Sequence, residues 1–211
     1  MIGKVVMNSA TAKTNPFELV VIGASLGGMH ALKTLLSSLP VKFSLPLVAV
    51  QHRPKDSEAS LGKYFSLWTS RPVFEADDKT PLVPGHIYFA PSDYHLMIDD
   101  KNLALSTEGP VKYSRPSIDV LFETAAEWYN ERAVGIILTG TGSDGPEGAR
   151  ELEERGGLLI VQDPEEAEAD ILPRSTIAAT KHPQIMRLNQ IVNMLETINQ
   201  TALEARTAQR K

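Results

Sequence analysis

Four short runs of branched apolar residues dominate the patterning of the chain: LVVIG (19–23), LPLVAVQH (45–52), AVGIILTG (133–140) and GLLIVQD (157–163). A strand with one wet face alternates apolar and polar side chains, so a run that stays apolar must be covered on both faces. The intervening stretches carry helical spacing. In 27–38, Met29, Leu32, Leu35 and Leu36 recur on one face. Further helices are expected over 114–130, with Pro116 near the first turn, over 146–155, 173–180 and about 189–208, and from a Ser57 cap to about Thr69. Short strands joined by helices predict an α/β fold, a three-layer α/β/α arrangement around a doubly wound, mostly parallel sheet. PVFEA (72–76) reads as a further short strand. GHIYFAP, HLMID and NLALS lie close together between turn residues and read as antiparallel hairpin strands.

The 211 residues suffice for one domain with a sizeable core. We expect a tail over 1–16, a domain over 17–188 and a helix over 189–211 packed on it by Ile191, Met194, Leu195 and Ile198. A net charge of -5 argues against a nucleic-acid partner. No apolar stretch approaches the ~18 residues of a membrane span, and the N-terminal residues lack the apolar core of a signal peptide. The absence of cysteine removes disulfides, thiolate zinc sites and cysteine nucleophiles. The expectation is a cytoplasmic protein without membrane insertion, cofactor or metal.

Ligands of such sheets sit at the carboxyl ends of the strands, where GASLGG, QHRP and TGTGSDG fall here. Gly23-Ala24-Ser25-Leu26-Gly27 fits Gly-x-Ser-x-Gly between a strand and a helix, the context in which that pattern presents a nucleophilic serine. The amides of Leu26 and Gly27 would then face a developing oxyanion. By itself the loop equally admits phosphate binding or a plain capped turn. A dinucleotide site wants Gly-x-Gly-x-x-Gly and an acid at the end of the next strand. This chain has Gly-x-x-x-Gly-Gly, and Gln51-His52 at that strand's end. His52 there can serve as general base. Asp144, flanked by Gly142 and Gly145 beyond another strand, can orient the imidazole. His30, His86, His95 and His182 read as ordinary hydrogen-bonding histidines.

The segments VIGASLGG, VAVQHRP, PGHIYFAPSDYHLMI, SRPSIDVLF, ILTGTGSDGPEGARELEERGG and VQDPEEAEADILPRSTIAA occur in the order and rough spacing of the catalytic domain of CheB, the chemotaxis protein-glutamate methylesterase. The chain resembles that family over about 17–181. The resemblance implies hydrolysis of γ-glutamyl methyl esters on methyl-accepting chemoreceptors, with receptor glutamine deamidation in some members, and a triad at Ser25, His52 and Asp144. It also marks Leu26 and Thr141 as lining the site, where family members usually carry threonine and methionine. EADILPRS departs from the family's Phe-Gly-Met-Pro stretch. Fewer than 20 residues precede the first strand, so the family's N-terminal receiver domain is expected to be absent. Arg53 and Arg115 are expected to be exposed and to grip acidic receptor helices, or else to form surface charge pairs. The competing functional expectations are a hydrolase of the same fold acting on another ester or amide outside chemotaxis, and a non-catalytic binding module.

Overall fold

A computed structural model describes residues 16–57 and 59–208. The expected tail, apart from Pro16, and the last three residues of the expected C-terminal helix lie outside the described residues. The elements follow in the order β1 (Leu19–Ala24), α1 (Gly28–Ser38), β2 (Leu47–Gln51), α2 (Leu61–Ser66), β3 (Val73–Glu75), β4 (Ile87–Phe89), β5 (His95–Asp99), β6 (Asn102–Ser106), α3 (Ile118–Tyr129), β7 (Ala133–Ile137), α4 (Pro146–Glu154), β8 (Leu158–Gln162), α5 (Ile171–Ala179), β9 (Gln184–Met186) and α6 (Leu188–Ala208).

Seven strands form one sheet in the order β3-β4-β2-β1-β7-β8-β9, and every pairing in it is parallel. β5 and β6 pair antiparallel as a separate hairpin. Successive side chains of each inner strand enter opposite layers, which is why the runs are apolar throughout. Val20, Ile22, Leu47, Ala49, Val134 and Ile136 pack with the leucines of α1, with Phe65 of α2, and with Ile191, Leu195 and Ile198 of α6. Leu19, Val21, Val48, Val50 and Ile137 pack with α3, with Leu152 of α4, and with Leu96, Ile98 and Leu103 of the hairpin. The expected three-layer α/β/α architecture is the one observed. Ile191, Leu195 and Ile198 of α6 are buried and Met194 partly so, and Asn199 further ties that helix to Ser44 through bonds of 2.7 and 2.9 Å.

Several local expectations need correction. GHIYFAP supplies β4, a parallel strand between β2 and β3, while only HLMID and NLALS form the hairpin. Ile87, Tyr88 and Phe89 are all buried, as a strand covered on both faces requires. α2 is capped by Ser60, whose hydroxyl accepts from Lys63 N at 3.3 Å. Ser57 instead closes a turn onto Pro54 O. α3 starts at Ile118 behind a Ser117 cap, so Pro116 precedes the helix. β9 carries no apolar run; it is a three-residue edge strand.

Candidate active site

β1 lies at the centre of the sheet with β2 and β7 hydrogen-bonded on either side of it. Ser25, His52 and Asp144 follow these three strands, so parallel pairing gathers the loops at one edge. Backbone bonds fix their relative height. His52 N donates to Ala24 O at 2.9 Å, and Ser25 N donates to Thr139 O at 3.0 Å. Gly140 passes so close that a Cβ there would stand 2.8 Å from the Ser25 Cβ. Gly27 turns the chain into α1 with φ 78°, a left-handed conformation that a side chain resists.

The His52 ring reaches Asp144, with Nε2 2.7 Å from Oδ2. A carboxylate only accepts, so Nε2 carries the hydrogen, and in the neutral ring Nδ1 is the acceptor. Asp144 is buried at the N-terminus of α3. Its Oδ1 accepts from Ser117 Oγ at 2.7 Å and Asp119 N at 3.0 Å, and its Oδ2 also accepts from Ile118 N at 2.7 Å. Burial alone would raise its pKa, but the hydrogen bonds from His52, Ser117, Asp119 N and Ile118 N outweigh burial and hold the carboxyl below its ordinary range. The carboxylate therefore stays charged beside the imidazole.

The arrangement is reciprocal. Asp144, just ahead of α4, caps α3, while Asp119 in the first turn of α3 caps α4, accepting from Gly145 N at 2.9 Å and Gly148 N at 2.8 Å. Lys112 Nζ lies 2.9 Å from Asp119 Oδ2 and 3.2 Å from Glu147 Oε2. For Asp119 burial dominates and raises the pKa, aided by the Asp144 charge and opposed by the Gly148 amide and Lys112.

The Ser25 hydroxyl has no hydrogen-bond partner among the described residues. Nor do the amides of Leu26 and Gly27, leaving donors available beside it. The Leu26 side chain is exposed, as is Thr141. Thr139 and Gln51, which the sequence reading missed, brace the turn. Thr139 Oγ1 bonds Leu26 O at 2.9 Å and Ala169 N at 2.8 Å, and Gln51 Nε2 donates to Ser25 O at 2.8 Å. Ser117 and Asp119 were missed as well, although a serine just behind a proline before an apolar helical run is a legible cap signal.

A cleft of about 510 Å³ opens beside His52, lined also by Arg53, Lys55, Asp93, Tyr113 and Arg115. Contrary to expectation, neither arginine is exposed: their side chains are 8% and 17% accessible. Arg53 is held by Glu75 at 2.5 Å and by Ala59 O. Arg115 binds Asp93 through Nε and Nη2, and the carbonyls of Thr107 and Glu108 through Nη1. Both build the cleft wall, their charges met by Glu75 and Asp93. No group of three or more potential metal-binding His, Cys, Asp or Glu side chains occurs among the described residues. No helix there is long and apolar enough to cross a membrane.

The family profile for CheB methylesterase matches residues 20–195. A Leptospira interrogans relative is 42% identical over 191 residues, 90% of this chain and 99% of its own length. The protein-glutamate methylesterase/protein-glutamine glutaminase 4 of Myxococcus xanthus is 36% identical; the match covers 84% of this chain and half of that protein. The crystal structure of the Thermotoga maritima CheB methylesterase catalytic domain superposes with a TM-score of 0.78 at 31% identity, covering 86% of this chain and 98% of that one.

Proposed function

The chain belongs to the CheB methylesterase family of carboxylic ester hydrolases, and from that membership we propose that it hydrolyses γ-glutamyl methyl esters on a methyl-accepting chemoreceptor, with Ser25 as nucleophile, His52 as general base and Asp144 as the residue that orients His52. The observation that carries the reading is the His52–Asp144 pair of 2.7 Å at the end of strands flanking the Ser25 turn.

Ser25 Oγ attacks the ester carbonyl as His52 Nδ1 takes its proton. Asp144, kept ionised by the N-terminus of α3, stabilises the imidazolium. The amides of Leu26 and Gly27 receive the oxyanion, a contribution of ~3–4 kcal/mol per donor in comparable sites. His52 then returns the proton to the departing methanol. Water repeats the sequence on the glutamyl-enzyme, releasing the γ-carboxylate and free Ser25. The ring nitrogens are exchanged relative to the serine-protease template, in which the aspartate holds Nδ1. Geometry and not atom name defines the role.

The test is methanol release from methylated receptor membranes. Ser25→Ala is expected to lower turnover by about three orders of magnitude or more with an unchanged melting temperature, since the hydroxyl bonds no described residue. Near-normal release by that variant would overturn the mechanism. The exposed Leu26 and Thr141 favour a second reading, the same chemistry on a different ester or amide. Turnover of generic aryl esters with none on methylated receptor would select it.

A further inference from the structure

Residues 111–114 form a tight turn on the rim of the His52 cleft. Val111 N donates to Ser114 O at 3.1 Å, and Ser114 N donates to Val111 O at 2.8 Å. The two central residues, Lys112 with φ 46° and Tyr113 with φ 66°, both occupy the left-handed region that such turns usually fill with asparagine and glycine. Lys112 is tied down by Asp119 and Glu147. Tyr113 is fully exposed, at 102% relative accessibility, and forms part of the cleft lining together with His52. A large ring thus stands wholly in solvent on a backbone conformation its residue type disfavours, and nothing among the described residues covers it. The turn runs straight into Arg115, anchored on Asp93, and Ser117, bonded to Asp144. Its position is therefore fixed relative to the imidazole.

We propose that Tyr113 is a specificity-determining residue: a rigid aromatic knob that packs against the polypeptide surface flanking the ester, in a protein substrate of the proposed esterase activity on which this inference rests. A small ester held next to Ser25 could not cover a ring exposed on every side, whereas a macromolecular substrate spanning the cleft could. Tyrosine suits the role because it brings a large contact area with few torsions to immobilise. Lys55 and Arg115 share the carboxylate of Asp93 while Lys112 holds two carboxylates, so the charges flanking the ring balance and the ring is the dominant apolar contact offered by the rim.

Steady-state hydrolysis of methylated receptor membranes and of p-nitrophenyl acetate by wild type, Tyr113→Ala and Tyr113→Phe tests this. In Tyr113→Ala the ratio of kcat/KM for receptor to that for the aryl ester is expected to fall about tenfold, carried by KM for receptor. Tyr113→Phe, which keeps the ring, is expected to retain that ratio within about twofold. An alanine variant with an unchanged ratio, a loss shared equally by both substrates, or a phenylalanine variant as impaired as alanine would each overturn the role. Wild-type protein that cleaves the aryl ester but releases no methanol from receptor would overturn the receptor reading itself, and Tyr113's role with it.

Discussion

Asp144→Asn separates the chemical role of this carboxylate from its structural one. Four donors converge on Asp144: Ser117 Oγ and Asp119 N on Oδ1, Ile118 N and the His52 ring on Oδ2. An asparagine can place its NH2 on either side. On the Oδ2 side it meets Ile118 N–H and the imidazole; on the Oδ1 side it meets Asp119 N–H, since only the serine hydroxyl can rotate to accept. Either way one buried amide of α3 loses its acceptor, which costs about 1–3 kcal/mol. Alanine would strand both amides, about 2–6 kcal/mol, a large part of a typical domain's stability, so asparagine is the informative variant. Its activity should fall further than its stability suggests, by about 10³–10⁴-fold in kcat, because the imidazole loses its orienting charge and preferred tautomer. Urea denaturation and aryl-ester hydrolysis on the same preparations check both effects. The pH dependence supplies a third reading. The folded carboxyl is held below its ordinary range, so its stabilising contribution is complete above the unfolded value of about 3.9 and is lost as pH falls through the lower folded value. The stability gap between wild type and Asp144→Asn should shrink as pH falls below about 4. A folded variant within tenfold of wild-type kcat, or a gap that does not shrink in acid, would refute the reasoning.

Gly27→Ala places a Cβ 2.7 Å from Glu168 Cβ at φ 78°. It is expected to cost about 1–3 kcal/mol in denaturation and to lower aryl-ester kcat as the neighbouring amides shift. Tyr113→Asn should act in opposite directions on stability and function. Asparagine tolerates the left-handed turn, so thermal denaturation should show a gain of about 1 kcal/mol or less, while receptor hydrolysis weakens as in the alanine variant.

Much of the fold was legible because its determinants are local. Leu19–Ala24 and Ala133–Ile137 are apolar on both sides of the strand, which dictates a sheet covered on both faces. The glycine pattern around Ser25 dictates a sharp turn at a strand end, and His52 and Asp144 stand at two other strand ends. What the sequence alone could not decide depends on residues far apart in the chain. Ile87–Phe89 reads as a hairpin strand beside its neighbours and becomes a parallel one only because β2 and β3 accept it. Arg53 and Arg115 look like surface charges until Glu75 and Asp93 fold against them. The state of Asp144 is set by a helix terminus 26 residues earlier, because backbone amides carry no sequence signature and act only where tertiary packing aims them. Tyr113's exposure is equally a tertiary outcome: its neighbour Lys112 finds two carboxylates, from different helices, and the turn leaves the ring without cover.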